Sequence, residues 1–257
     1  MKIHKYSMSA LMSLRSKMNE GILSLLPEVF IRGITLLALI NLWKAAMQSA
    51  SDLEIGISQM LSYTYASAIL SDMLVVKTQA SGWLSEGVLL RLYTRPLALL
   101  SQLVAETIGG WAASLALFSL PMALAAPLFG ISLKPASPFF FVSLILCVSL
   151  GFAVDALFSC LSIKLGHMNW LVGRIRQAIA ALLSGSVVPI KMLPFGMGEY
   201  MRFQPFASLG GATLSIFVGS SDTAQTIMLQ IAWNLIIWPI ALLALKKSQE
   251  GIVSYGG

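Results

Sequence analysis

Apolar stretches of the sequence are interrupted by charged side chains, among them Glu28, Arg32, Glu106 and Asp155. An unpaired Arg at the centre of a bilayer costs about 2.5–3.5 kcal/mol, so such charges pair with one another or line a polar path. Glu28 and Arg32 are four residues apart, which puts them on one helical face and predicts an ion pair. For Glu106 and Asp155 the sequence leaves two alternatives. In the first, the carboxylate lines a polar path or meets a partner on another helix. In the second, it lies near the membrane interface and its side chain reaches water.

Other residue types that do chemistry are sparse. The two histidines and the two cysteines, Cys147 and Cys160, lack zinc-ligand spacing, and no HExxH motif is present. The sequence also lacks GxxxxGK[ST], so it predicts no P-loop in this chain. We therefore expect no catalytic residue, no metal ligand and no cofactor-binding residue here.

Small residues cluster in two of the apolar segments. The serines and glycine of residues 184–186 lack a nucleophile elbow and a partner base, so we expect them to pack helices together. Small residues four positions apart also permit close helix approach. This spacing occurs at Ala105, Gly109 and Ala113, and at Gly110 and Ser114.

The composition predicts an all-α, polytopic membrane protein. Of the 257 residues, 57% are hydrophobic and 11% are charged, with a mean hydropathy of +0.80; an average soluble domain is about one-quarter charged. A membrane-spanning helix needs about 20 apolar residues. Six segments meet this requirement and form one transmembrane domain over residues 1–257: 22–47, 58–76, 97–120, 138–163, 170–188 and 226–245.

The basic residues predict the orientation. The net charge of +6 marks loops beside anionic lipid and not nucleic-acid binding. With both termini in the cytoplasm, cytoplasmic segments hold 13 of the 17 Lys and Arg residues, as the positive-inside rule requires. The other four are Lys44, Lys134, Lys191 and Arg202.

Three further segments carry amphipathic or broken patterns. Residues 1–20 place Met and Leu near one helical face, which predicts a helix in the membrane interface, with a frayed N-terminus as the alternative. Residues 189–211 stay apolar but contain three prolines, which favours a broken, re-entrant hairpin at the outer face. Residues 81–96 combine an apolar face with charges, as expected of a helix that docks in a protein groove or rests on lipid headgroups. The residues expected to shape the hairpin are Pro189, Pro194, Phe195, Pro205 and Phe206.

Four stretches occur in a recognisable order along the chain. They are "NLWKAAM" at the end of the first span, "EGVLLRLYTRPLALL" after the second, "LLSGSVVPIKMLPFGMGEYMRFQPFASL" after the fifth, and the closing "SYGG". Together they resemble the six-span permease subunits of ABC-2 type exporters, within a branch long catalogued as a domain of unknown function. The chain departs from the family pattern at residues 210–212, where Gly-Gly-Ala replaces a region that usually contains a proline.

The resemblance implies a permease of the bacterial cytoplasmic (inner) membrane that has no ATPase of its own. Two permeases would pair, as a homodimer or with a related chain, and two copies of a separate ABC ATPase subunit would supply ATP and Mg. The exported substrate would be amphipathic: a drug, a peptide or a lipid-like compound. The alternative is a secondary transporter driven by an ion gradient, which predicts broken helices in matching positions of both halves.

The resemblance also favours docking for residues 81–96. In the family, the loop between the second and third spans carries a coupling helix that docks on the ATPase. The residues expected to make this contact are Trp83, Leu84, Glu86, Gly87, Val88, Arg91, Leu92, Tyr93 and Arg95.

Overall fold

Helices account for the regular structure throughout the described part of the chain. The computed structural model describes residues 2–19, 22–49, 56–78, 98–165 and 169–255, among which there is no β-strand. The all-α prediction is therefore confirmed for these residues. In chain order the helices are α1 (Lys2–Asn19), α2 (Ile22–Ser49), α3 (Ile57–Ile69), α4 (Ser71–Leu74), α5 (Leu99–Ser114), α6 (Leu120–Ala125), α7 (Phe139–Leu165), α8 (Asn169–Leu183), α9 (Met197–Met201), α10 (Gly210–Val218) and α11 (Thr223–Tyr255).

Within the described ranges, four helical segments are long and apolar enough to cross a membrane. They are Leu25–Met47, Leu99–Phe129, Phe139–Ser162 and Thr223–Ser248, and they coincide with the predicted first, third, fourth and sixth spans. In the second of these segments a π-helical turn joins α5 to α6, and a short 3₁₀ turn follows α6. Four such helices are compatible with a multi-pass membrane protein.

The predicted second and fifth spans are interrupted helices. α3 has 13 residues and α8 has 15. At 1.5 Å rise per residue they extend roughly 20 to 23 Å, short of the ~30 Å hydrocarbon core. Leu70 (φ −95°, ψ 7°) and Val75 (φ −123°, ψ 74°) break the second span, and the chain after α8 turns at Gly185, whose φ is 74°. The six-span arrangement stays a prediction, because only four helices of the described residues are long enough to span a membrane. The hydropathy of a segment does not show where its helix breaks.

α1 packs along α5. A Cβ atom on Gly109 would lie 2.1 Å from the carbonyl oxygen of Ala10, so the two backbones touch where only glycine fits. Next to this contact, Lys17 Nζ donates a hydrogen bond to the carbonyl oxygen of Gly110 at 3.2 Å. The small residues of the third span thus allow α1 to pack closely against α5. Of the predicted helix at 1–20, the described residues Lys2–Asn19 are helical, whereas its place in the membrane interface stays a prediction.

The proline-rich stretch 189–211 contains no single straight helix. It consists of a 3₁₀ turn at Ile190–Met192, the short helix α9, and turns. Phe195 adopts φ 60° and is 98% exposed, at the tip of a turn. The predicted break is present, and the re-entrant course at an outer face stays a prediction.

α10 begins within the last two residues of this stretch and is buried against α3 and α7. Its residues Leu214 and Phe217 belong to the largest apolar cluster of the described chain. At its start, Gly211 N donates to the carbonyl oxygen of Ser184 at 2.6 Å, and a Cβ atom on Gly211 would lie 2.5 Å from that oxygen. A proline at this position would lose the N–H and collide with the carbonyl.

Candidate functional site

The break after α3 creates a short irregular segment with an unusual concentration of polar contacts. We call residues 71–78 the linker segment; it comprises α4 and the four residues that follow it. The predicted coupling helix at 81–96 comes directly after it in sequence and lies outside the described residues. Two ion-paired networks hold the linker segment.

The first network centres on Arg32 of α2. Its guanidinium forms a two-pronged ion pair with Asp72 of the linker segment, with Nη1 2.9 Å from Oδ2 and Nη2 2.6 Å from Oδ1. The predicted pair with Glu28 is also present, with Nη2 2.5 Å from Oε1. Ser114 of α5 donates its hydroxyl to Asp72 Oδ2 at 2.5 Å. This fork geometry uses the planar guanidinium in a way that Lys cannot reproduce.

The π-helical turn between α5 and α6 supports the same network. It spans Leu115–Ser119 and brings buried Phe118 beneath the Arg32 guanidinium, 5.8 Å from ring centroid to Cζ. Ser119 Oγ donates at 2.7 Å to the carbonyl oxygen of Ile69, the last residue of α3. Single-turn π-bulges often occur at functional sites. Here the π-helical turn places Ser119 against the last carbonyl group of α3 and Phe118 against the Arg32 guanidinium.

The second network centres on Asp155 of α7, whose side chain is almost fully buried. Its Oδ1 lies 2.5 Å from Arg176 Nη1 of α8, and its Oδ2 accepts hydrogen bonds from the backbone N–H, at 3.1 Å, and the hydroxyl of Thr78. Arg176 also donates to the carbonyl oxygen of Val76. Of the two alternatives left open for Asp155, the structure shows the partner on another helix. Glu106, by comparison, is half-buried on α5.

Both networks meet on the linker segment. Asp72 near its start is tied to α2 and α5, and Val76 and Thr78 at its end are tied to α7 and α8. Removing one partner of a buried ion pair is far more destabilising than replacing both, because it leaves an uncompensated charge. The arrangement therefore fixes the position of a segment in which only the first four residues are helical. Since each carboxylate faces an Arg, neither is set up as a free base.

The unwound end of α8 meets α3. Tyr63 donates its hydroxyl to the carbonyl oxygen of Gly185, and Ser67 Oγ donates to that of Ser186 at 2.6 Å. Residues 184–186 were expected to pack inside a fifth helical span, but the helix ends before them. Their carbonyl groups are open because the backbone is not helical there, and α3 supplies the donors that such backbone needs inside a membrane protein.

Several residues of these networks were missed by the sequence reasoning. Asp72 and Arg176 lie inside the predicted second and fifth spans, where the charges were not matched to partners. Counting charges of opposite sign across all apolar segments would have indicated that Asp72 and Arg176 need partners, but not which partners they have. Val76 and Thr78 carry no such signal, because their contacts depend on the break in the helix.

The residues predicted to dock on an ATPase all lie in 81–96, outside the described residues. Of the predicted hairpin residues, Pro189 lines a cavity, Phe195 is exposed and Phe206 packs partly buried against the largest apolar cluster. Among the residues that the structure describes, no group of three or more His, Cys, Asp or Glu is placed to hold a metal ion. In comparisons with known proteins, no family model matches the chain and no curated protein matches it significantly.

Proposed function

We propose that the chain is the membrane-spanning permease subunit of an ABC-type exporter that is driven by a separate ATPase. The observation that carries the proposal is the double anchoring of the linker segment immediately before the predicted coupling helix. A permease of this kind has to pass a movement from the docking helix into its spans. A segment tied to four helices by an ion pair and by hydrogen bonds to charged side chains would pass that movement on without simply unwinding.

The proposed assembly contains two permeases and two ATPase subunits in the bacterial cytoplasmic membrane. The second permease is an identical or a related chain, and the ATPase subunits hold ATP and Mg. The order of family-like stretches along the sequence supports this arrangement. Cytoplasmic termini are supported by the placement of 13 of 17 basic residues.

The proposed substrate is amphipathic and moves outward. Arg32, Asp72, Asp155 and Arg176 are charged groups of the helices and the linker segment, and they pair with one another. Because these charges are committed to ion pairs, they are poor ligands for a small ion in transit. The remaining apolar helix surfaces favour a substrate with a large apolar part.

A second candidate is a secondary transporter, and one observation favours it. The interrupted helices α3 and α8 lie within the predicted second and fifth of six spans, which are the middle spans of two three-span halves. α3 also contacts the non-helical residues that follow α8, because Tyr63 and Ser67 donate hydrogen bonds to the carbonyl oxygens of Gly185 and Ser186. Paired broken helices in matching positions are a feature of transporters driven by ion gradients.

Reconstitution separates the two candidates. The purified chain would be placed in lipid vesicles with a fluorescent amphiphile, alone and with the ATPase subunit that co-purifies from native membranes. The proposal predicts transport only when the ATPase, ATP and Mg are all present. Transport by the chain alone, driven by a proton or sodium gradient, would overturn the proposal and support the second candidate.

A further inference from the structure

A cavity of about 540 Å³ lies between the stretch 189–199, α10 and the beginning of α11. Sites for drug-sized ligands typically occupy about 300–1,000 Å³. Charged residues of both signs line it: Lys191, Glu199, Arg202 and Asp222. In the predicted topology this end of the bundle faces outward.

The charges around the cavity do not neutralise one another. Within the described part of the chain, Glu199 and Arg202 form no ion pair with any described residue. The guanidinium of Arg202 lies over the ring of Phe203, 4.7 Å from its centroid, which leaves its N–H groups available. Lys191 Nζ donates to the carbonyl oxygen of Ser220 and keeps further donors, since an ammonium group has three.

Asp222 differs from these three residues because its carboxylate caps the start of α11. Its Oδ1 accepts hydrogen bonds from the backbone N–H groups of Ala224 at 3.0 Å and Gln225 at 3.4 Å, at the start of α11. This is the role of a helix N-cap, which satisfies donors that have no partner within the helix. The groups left for a ligand are therefore two cations and one carboxylate.

Close backbone contacts define the shape of the cavity. A Cβ atom on Gly198 would lie 2.6 Å from the carbonyl oxygen of Ile190, so this wall is built backbone against backbone. Leu193 and Leu229 add apolar surface to the lining. A cavity formed in this way needs little reorganisation on binding, which favours affinity.

We propose that this cavity binds a zwitterionic headgroup in which a phosphate and a primary amine are joined by a short linker. Lys191 and Arg202 contact the phosphate, Glu199 contacts the ammonium group, and the first methylene groups of an attached chain lie against Leu193 and Leu229. The headgroup belongs either to a lipid-like amphiphile or to a free phosphoethanolamine-type molecule. The inference concerns binding by this chain alone and does not depend on the proposed ATPase.

The test uses the purified full-length chain in an uncharged detergent. Binding of phosphoethanolamine, dihexanoyl-phosphatidylethanolamine and inorganic phosphate would be measured by native mass spectrometry. We expect saturable binding of both zwitterions, weakened about tenfold by Arg202→Gln or Lys191→Gln through loss of a charge-assisted contact. Lys134→Gln removes an exposed charge that does not line the cavity, and binding should not change.

Glu199→Gln provides the more specific result. It should weaken both zwitterions several-fold and leave inorganic phosphate unchanged or bound more tightly, because the variant loses a partner only for the amine. Tighter binding of the short-chain lipid than of phosphoethanolamine identifies an amphiphile as the source, and equal binding identifies the free headgroup. The inference is wrong if wild-type protein shows no saturable binding, if it holds phosphate as well as phosphoethanolamine, or if Arg202→Gln binds like Lys134→Gln.

Discussion

The charges that hold the linker segment and the charges that line the cavity differ in how they are partnered. Arg32 faces Asp72, and Arg176 faces Asp155, with hydroxyl groups satisfying further oxygen atoms. Around the cavity, Glu199 and Arg202 are exposed and have no described ion-pair partner. A desolvated charge must be compensated by the protein itself, whereas a hydrated one remains available to a ligand. We therefore assign a structural role to the charges at the linker segment and ligand recognition to the charges at the cavity.

The largest effect is expected from breaking the most deeply buried pair. Asp155→Asn keeps the size of the side chain but leaves Arg176 without its countercharge. The free energy of unfolding should fall by about 3–5 kcal/mol, as for other buried pairs that lose one partner. Thermal unfolding in detergent would measure this, with the exposed Glu199→Gln as the matched control. Adding Arg176→Gln to Asp155→Asn should recover part of the loss, and a single variant as stable as the control would contradict the account.

Replacing Arg32 should have a smaller effect, since this network is only partly buried. Arg32→Gln removes the charged hydrogen bonds to Asp72 and Glu28, and the free energy of unfolding should fall by about 1.5–3 kcal/mol in total, because solvent screens this partly exposed network. Arg32→Lys keeps the charge but loses the fork geometry, so its stability should lie between those of Gln and Arg. Chemical denaturation of the purified variants would rank them, with exposed Arg15→Gln as the control. If Arg32→Lys has the same free energy of unfolding as the wild type, the two-pronged contact does not contribute to stability.

A third substitution separates backbone packing from charge pairing. Gly109→Ala puts a methyl group where the carbonyl oxygen of Ala10 lies, so α1 must shift from α5, at a cost of about 1 kcal/mol or more. Gly33→Ala is the control, because a Cβ atom there meets nothing within 4 Å and alanine favours the helix. Limited proteolysis should cut residues 1–20 faster in the Gly109 variant only. Equal cutting rates would show that α1 is not held at this contact.

The smallest effects are expected around the cavity. Lys191→Gln and Arg202→Gln should change the free energy of unfolding by no more than about 0.5 kcal/mol, as is usual at exposed positions. Thermal unfolding beside Lys134→Gln would check this. A loss of several kcal/mol for either variant would mean that the cavity charges stabilise the fold, and the contrast between the two regions would disappear.

The sequence could predict what depends on composition and local spacing. Four of the expected spans are helices of sufficient length, and Glu28 pairs with Arg32 because a helix brings residues four apart together. It could not predict the ends of α3 and α8. α3 ends at Ile69, whose carbonyl group accepts a hydrogen bond from Ser119 of a π-helical turn that is distant in sequence. α8 ends at Leu183, and the carbonyl group of the following Gly185 accepts a hydrogen bond from Tyr63. Such breaks depend on tertiary partners, which periodicity does not contain.

The pairs missed by the sequence reasoning have the same physical origin. Asp72 reaches Arg32 because the chain is kinked at Leu70, and Thr78 reaches Asp155 because the residues after α4 are not helical. A straight second span would have separated these groups. The spacing of Asp72 and Thr78 in the sequence therefore gives no indication of their joint role.

We propose that a separate ATPase drives this chain through residues 81–96, and capture of that ATPase is the most direct test. The wild-type chain and the variants Leu84→Asp and Val88→Asp would be purified from native membranes under one protocol, with Met12→Asp as a control on exposed α1. We expect the wild type and the control to retain a P-loop ATPase. Each of the two variants should bind it at least about tenfold more weakly, because a large apolar anchor is worth about 1.5–3 kcal/mol and a buried unpaired charge costs more. A wild-type chain without any ATPase, or variants that hold it at wild-type affinity, would contradict the account.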